Sequence, residues 1–286
     1  MTANIQKDQD QQDAHAFSRE LLQFIEASPT PFHAVSNTVD LLRAEGYTSP
    51  AADDEVHGEG RYFFSHNGSS LIAVSLNAPL EQGFSLVGAH TDSPCLKIKP
   101  NAAYVKNACL QLGVEVYGGA LLSPWFDRDL SIAGRLTLSR PGGGLCNRLV
   151  DFKRPIGVIP SLAIHLNREV NESNAINKQN HLPPLLDITE GEADFEALLL
   201  EQLKQQYPRE QFESVLAFEL ALYDTQPPAI VGLQQNLLAS ARLDNLLSSY
   251  VGLRALLQQH SNSNCVLVLN DHEEIGSSTA SGAAGP

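Results

Sequence analysis

Five consecutive polar residues, Asn270, Asp271, His272, Glu273 and Glu274, follow an apolar run, Cys265 to Leu269, with no spacer. Two neighbouring glutamates on an extended strand point to opposite faces. One can then grip a metal while the other faces a water. The alternative is a solvated acidic loop. A second group, His90-Thr91-Asp92, closes another apolar run, Phe84 to Ala89. Positions i and i+2 of an extended segment share a side, so Asp92 can fix the tautomer of His90 and leave its other ring nitrogen free for a metal. A hydrogen-bonded histidine at a strand end is the plainer reading. A third group, Arg242-Leu243-Asp244-Asn245, opens a long helical pattern. A carboxylate there often serves only as a cap or dipole partner. Taken together, His90, Asp244 and the Glu273–Glu274 pair offer nitrogen and carboxylate donors without thiolate. That set suits zinc, manganese or cobalt in a hydrolytic site. A bridging Asp with one His and one Glu would be half of a two-metal site that activates a water and polarises a carbonyl.

The elements that must position these groups follow from periodicity. Residues 13–27 predict a helix, with a frayed polar leader before it. After Ser28-Pro29-Thr30-Pro31 a second helix carries Phe32, Val35, Val39 and Leu42 to Gly46. Asn67-Gly68 joins predicted strands 61–65 and 70–76 as a hairpin. Phe84 to Ala89 and Cys265 to Leu269 read as buried strands, the latter as a parallel one. Gly276 and Ser277 read as a helix start, and strand ends that turn into helices are where α/β sheets place their chemistry. Segments 110–117, 132–139 and 145–152 predict antiparallel strands, 158–166 a further apolar stretch, and 171–190 a long loop. Asp194 to Tyr207 predicts a helix and Val215 to Tyr223 a strand. Helical periodicity resumes near Ala239 and runs to Leu257. The fold class is therefore α/β, with a first part at 1–94, a β-rich insertion at 95–236, and a second part at 237–286.

The totals narrow the function. With 286 residues, 43% of them hydrophobic, the chain can bury a substantial core. A net charge of −14 argues against nucleic acid or an anionic membrane as a main partner. No apolar run reaches membrane-spanning length, and the polar N-terminus lacks a signal-peptide pattern. Cys95, Cys109, Cys146 and Cys265 form no C-x-x-C pair, which fits reduced thiols in the cytoplasm.

Six stretches carry a resemblance: SPTPFHAV at 28–35, VGAHTDSPCLKIKP at 87–100, YGGALLSPWFDRDLSIAGR at 117–135, IPSLAIHLNREVNE at 159–172, ARLDNL at 241–246 and NDHEEIGSSTASGA at 270–283. In these the chain resembles the M18 family of metallo-aminopeptidases, the aspartyl aminopeptidases, over nearly its whole length from residue 17. The resemblance implies a mixed-sheet zinc-peptidase domain flanked by helices and interrupted by a β-rich dimerisation insertion. It implies two divalent ions per complete subunit, zinc with manganese or cobalt as substitutes. His90 would bind one, Asp244 would bridge both and Glu274 would bind the other. Glu273 would be the general base and Asp92 the group that orients His90. The reaction implied is removal of one N-terminal residue, preferably Asp or Glu, from a peptide by a metal-activated water. His165, within LAIHL, would reach into a partner's site and help stabilise the oxyanion, in dimers built into a dodecamer. Asp127, Arg128 and Asp129 read as turn and interface charges. Related dinuclear peptidases place a cis bond after the bridging Asp, here Asp244-Asn245.

The family's chains continue well beyond the equivalent of residue 286, with a second Asp ligand, a second His ligand and the groups that recognise an acidic side chain. The chain therefore reads as C-terminally truncated, with exposed sheet edges and an incomplete dinuclear site. Two alternatives stand beside this reading. One is another dinuclear hydrolase, either a different aminopeptidase or an amide deacylase. The other is an inactive shell-forming or binding fragment.

Overall fold

The computed structural model describes every residue except 1, 52–57, 174, 190, 192–193, 260–261 and 286, and leaves the side chains of 2–12 outside the description. In chain order the elements are α1 (Thr2–Glu26), α2 (Pro31–Ala44), β1 (Gly60–His66), β2 (Ser70–Leu76), β3 (Phe84–His90), β4 (Cys95–Lys106), β5 (Cys109–Tyr117), β6 (Leu130–Ser139), β7 (Leu145–Asp151), α3 (Lys178–His181), β8 (Leu185–Ile188), α4 (Phe195–Gln206), β9 (Ser214–Asp224), β10 (Ala229–Val231), β11 (Leu237–Ala239), α5 (Leu243–Leu257) and β12 (Asn264–Asn270). They form two compact units, Met1–Ser93 with Pro227–Pro286, and Pro94–Gln226. The short β10–β11 pair thus falls in the first unit, where sequence patterning put residues 227–236 with the insertion.

The first unit holds a four-stranded sheet in the order β1-β2-β12-β3. β1, β2 and β12 pair antiparallel, whereas β12 and β3 run parallel, with Leu269 opposite Ala89 and Asn270 opposite His90. Both chemical groups therefore leave the sheet at the same end, on neighbouring strands. The N–H of Thr91 extends the pairing one step further by donating to the Asn270 carbonyl at 2.8 Å. One face of the sheet is closed by helices. Leu71, Ala73, Leu267 and Leu269 pack with Val35 and Leu42 of α2 and Leu253 and Leu256 of α5. Burying each of these leucine and valine side chains contributes about 1.5–3 kcal/mol. α1 closes on α5 through Leu21, Phe24, Ile25, Leu246 and Tyr250. Ile72 of β2 stays exposed on the other face, and β3, an edge strand of the sheet, is exposed from Phe84 to Gly88.

The second unit is a six-stranded sheet, β7-β6-β9-β4-β5-β8, with every pairing antiparallel. Its core joins Leu130, Ile132, Leu136 and Leu138 of β6 to Leu220 and Leu222 of β9 and Leu199 and Leu203 of α4. Asp194 caps α4 by accepting from the Ala197 N–H at 2.8 Å.

Several expected elements differ. α1 reaches back to Thr2 instead of starting at 13, because the leader, with four glutamines in residues 2–12, has helix propensity without an apolar periodicity. The residues from 178 to 188 expected as loop contain α3 and β8. α5 starts at Leu243, not near 239, since Leu237–Ala239 pairs as β11. Gly276 and Ser277 do not start a helix. Both are left-handed, with φ of 95° and 60°, and successive left-handed residues cannot propagate a right-handed helix.

Asn264 fixes the start of β12. Its buried side chain accepts from the N–H groups of Asn77 and Ala78, at 3.0 and 3.1 Å, and donates to the carbonyls of Pro79 and Gly83, both at 3.3 Å. Asn264→Ala leaves four backbone groups short of a partner, and the expected loss is about 3 kcal/mol of unfolding free energy. Urea denaturation measures it, and a loss under about 1 kcal/mol contradicts the assignment.

Candidate active site

The ends of β3 and β12 and the start of α5 converge on Asp92. This carboxylate is only 1% exposed. Its Oδ1 lies 3.2 Å from His90 Nδ1 and accepts from the Glu273 N–H at 3.1 Å, and its Oδ2 accepts from the Glu274 N–H at 3.1 Å. The two glutamates sit on a single 3-10 turn, Glu273–Ile275, not on an extended strand. Opposite-face alternation therefore does not separate them. Their side chains are placed by the turn, and the turn is placed by Asp92. His272 enters it with a left-handed φ of 64°, which makes the sharp exit from β12.

With Nδ1 facing Asp92, the Nε2 of His90 is turned to Asp244, 3.7 Å from Oδ2. Asp244 lies in the first turn of α5, and its side chain is 84% exposed. The Asp244–Asn245 peptide is trans, as are the others of the described residues. The expected cis bond is not there, and the segment runs directly into regular helix, where trans geometry is the low-energy form.

The electrostatics are one-sided. Hydrogen bonding to Asp92 is the main reason the His90 pKa lies above the usual histidine value, and the Glu273 and Asp244 charges add to it. Glu274 is also pushed up, first by burial and then by the Asp92 and Glu273 carboxylates. One imidazole thus faces four carboxylates, Asp92, Asp244, Glu273 and Glu274. In donor type and charge this set fits a divalent cation. The donors are neighbours without being drawn to one point, because no three His, Cys, Asp or Glu side chains among the described residues are placed to hold a metal ion.

The loop that follows folds back on the sheet. The Asp271 N–H donates to the Ser281 carbonyl at 2.9 Å, Ser70 Oγ donates to the same carbonyl at 2.7 Å, and His272 Nδ1 meets Thr279 Oγ1 at 2.6 Å. Asp271 is buried, and its pKa is raised chiefly for that reason. His272 therefore supports the loop instead of joining the cluster.

The structure brings His90, Asp92, Asp244, Glu273 and Glu274 together. His165 belongs to the second unit, on an exposed turn between Leu162 and Leu166, themselves exposed. The 158–166 stretch is a strand only in its isolated bridges at Val158 and Ile159. Asp127 holds a turn, accepting from the Ser161 N–H at 2.8 Å, and Arg128 pairs with Asp224.

Residues 24–286 match the family model described as aminopeptidase I zinc metalloprotease (M18). The chain belongs to this family. A probable M18 family aminopeptidase 2 of Pseudomonas aeruginosa is 55% identical over 272 residues, covering 93% of this chain and 63% of the relative. The chain thus spans less than two thirds of the length of this M18 relative. Among solved structures, the M18-like fold recurs in a cryo-EM structure of the Ape4 and Nbr1 complex, with a TM-score of 0.89, 32% identity, 96% of this chain and 57% of that one. It recurs in the S. cerevisiae mApe1 dodecamer with a TM-score of 0.75, 28% identity, and 93% and 63% coverage. The mixed α/β fold is also that of an M18 family aminopeptidase structure from Thermotoga maritima, with a TM-score of 0.78, 24% identity, 95% of this chain and 61% of that one.

A raised carboxylate pKa means that folding disfavours the charged form, so the charge on Glu274 costs stability above the unfolded value and the cost fades as pH falls through the folded one. Glu274→Gln is therefore expected to raise the chelator-treated protein's resistance to urea at neutral pH. An unchanged or lowered midpoint contradicts the electrostatic account.

Proposed function

We propose that this chain carries the catalytic centre of a cytoplasmic zinc aminopeptidase that removes an N-terminal Asp or Glu from peptides. The observation that carries the reading is the Asp92-anchored cluster. His90 turns one nitrogen to Asp244 at 3.7 Å, beside adjacent glutamates on one turn, in an M18 chain. His90, Asp244 and Glu274 would hold zinc, with Asp244 shared between two ions in a complete dinuclear site. Manganese or cobalt could substitute by ligand type. Held there, zinc would supply polarisation of the scissile carbonyl and acidification of a water.

The chain's own residues do the rest. Asp92 keeps the Nδ1 side of His90 engaged, so that Nε2 is the ligand nitrogen. Glu273 takes the proton from the attacking water and returns it to the leaving amine. Glu274, beside it on the turn, is the ligand. His165 of a second copy would donate to the developing oxyanion, which makes the dimer the catalytic unit. The exposed Leu162, Ile164 and Leu166 around it supply an apolar surface for that contact, and the dodecameric S. cerevisiae structure supports a closed assembly. The preference for acidic residues rests on the family motifs. The cytoplasmic placement rests on four free cysteines, and no helix of the described residues is long and apolar enough to cross a membrane.

A second reading, a shell-forming or binding chain without turnover, draws on the donor geometry, in which no three His, Cys, Asp or Glu side chains among the described residues are placed to hold a metal ion. Another dinuclear hydrolase or an amide deacylase would show itself in the substrate panel.

The test uses protein expressed from the complete reading frame, supplied with zinc and assayed on Asp-, Glu-, Leu- and Lys-aminoacyl substrates. Acidic residues are expected to be cleaved fastest. Glu273→Gln should keep metal and lose about 10²–10⁴-fold in kcat. Asp244→Asn should lose metal and activity together, and His165→Phe should keep metal with a lower kcat. Full activity in Glu273→Gln overturns the choice of base, and a wild type that binds zinc without cleaving any substrate favours the second reading.

A further inference from the structure

Asp244 raises a question that its own surroundings leave open. Its side chain is 84% exposed, so packing does not hold it. The carboxylate stands near His90 only because the first turn of α5 stands there. That turn begins poorly, since the N-cap residue, Arg242, is left-handed with a φ of 58° and makes no side-chain cap.

The next residue supplies what the cap does not. Asn245 is 1% exposed. Its Nδ2 donates to the Thr91 carbonyl at 3.0 Å, and its Oδ1 accepts from Ser93 Oγ at 2.9 Å. The orientation of the amide is fixed, because a flipped group would set oxygen against the Thr91 carbonyl. One turn on, Ser249 Oγ donates to the His90 carbonyl at 2.9 Å. α5 is thus stitched to the His90–Ser93 segment, which carries one proposed ligand and the carboxylate that orients it. Of these two stitching residues, Asn245 uses both ends of its side chain there and directly follows Asp244.

We propose that Asn245 is a positioning residue whose buried amide sets the separation of Asp244 from His90. The proposal rests on the reading of His90 and Asp244 as metal ligands. Asn245 touches no reacting atom. It acts through the backbone, fixing where an exposed carboxylate can be. Partners one layer outside the ligands change metal affinity by about 10–100-fold, and a hydrogen-bonded amide buried on both ends tolerates no isosteric acid, because Asn245→Asp turns an attractive contact with the Thr91 carbonyl into a repulsive one.

The experiment measures zinc affinity by chelator competition on protein from the complete reading frame. Wild type, Asn245→Ala, Asn245→Asp, Ser249→Ala and Leu253→Ala are compared, with thermal midpoints taken alongside. Leu253 is a fully buried apolar residue of the same helix, so its truncation lowers stability without touching the stitch. Both Asn245 variants are expected to bind zinc about 10–100-fold more weakly, Ser249→Ala to lose less, and Leu253→Ala to keep wild-type affinity at an equal or larger fall in midpoint. Wild-type affinity in both Asn245 variants, or an equal loss in Leu253→Ala, overturns the proposal. A second readout is independent of metal: the crystal structure of chelator-treated Asn245→Asp should show Asp244 displaced from His90 by about 1 Å or more, and an unmoved carboxylate overturns the proposal. A wild type that binds no zinc refutes the metal-site reading instead, and the crystal structure then decides the positioning role alone.

Discussion

One buried carboxylate organises the site. Asp92 is out of water, and a buried carboxylate is stable only when donors surround it. The donors here are the ring of His90 and the main-chain N–H groups of Glu273 and Glu274. Residues about 180 apart in sequence are thereby tied to one side chain. The tie demands that β3 and β12 lie side by side, parallel and in register, so that His90 meets Asn270. A slip of one residue would turn the wrong face of each strand to the helices and would take Asp92 away from the turn.

The same arrangement concentrates negative charge. Asp92, Glu273 and Asp244 act together on Glu274, which is already disfavoured as an anion by burial. Folding alone gives no reason to gather these groups. The leucine-rich packing of α2 and α5 against the sheet offsets the cost, and a cation held by His90, Asp244 and Glu274 would remove most of it. Conflict between local stability and local chemistry is what sites of this kind show.

Much of this was legible in the sequence. Apolar runs ending in His90 and Asn270 marked two strands, Asn67-Gly68 marked the hairpin, and Asp194 marked the start of α4, but β3 is an edge strand exposed from Phe84 to Gly88, not the buried one its apolar run suggested. The five polar groups that meet in the first unit were all named from residue type and position at an element's end. What escaped detection depends on non-local or irregular geometry. β4 was not foreseen, because its alternation breaks at a bulge between Ile98 and Ala103 that includes Pro100. β8 is short and lies in a polar tract, where pairing with β5 supplies the order that propensity does not. The 3-10 turn at Glu273 and the left-handed Gly276 and Ser277 mimic a helix start in composition while excluding one in backbone. Asn245, Ser249 and Ser93 looked like ordinary polar residues, since their partners lie about 150 positions away. Only the run of small polar side chains around His90 and Asp244 hinted at them.

The central claim is that His90, Asp244 and Glu274 share a cation. Anomalous diffraction at the zinc absorption edge, on crystals of protein from the complete reading frame grown with zinc, tests it most directly. The account predicts a peak within about 2.0–2.2 Å of His90 Nε2 and of carboxylate oxygens of Asp244 and Glu274. A zinc peak held by other residues, with these three side chains standing apart from it, would contradict it.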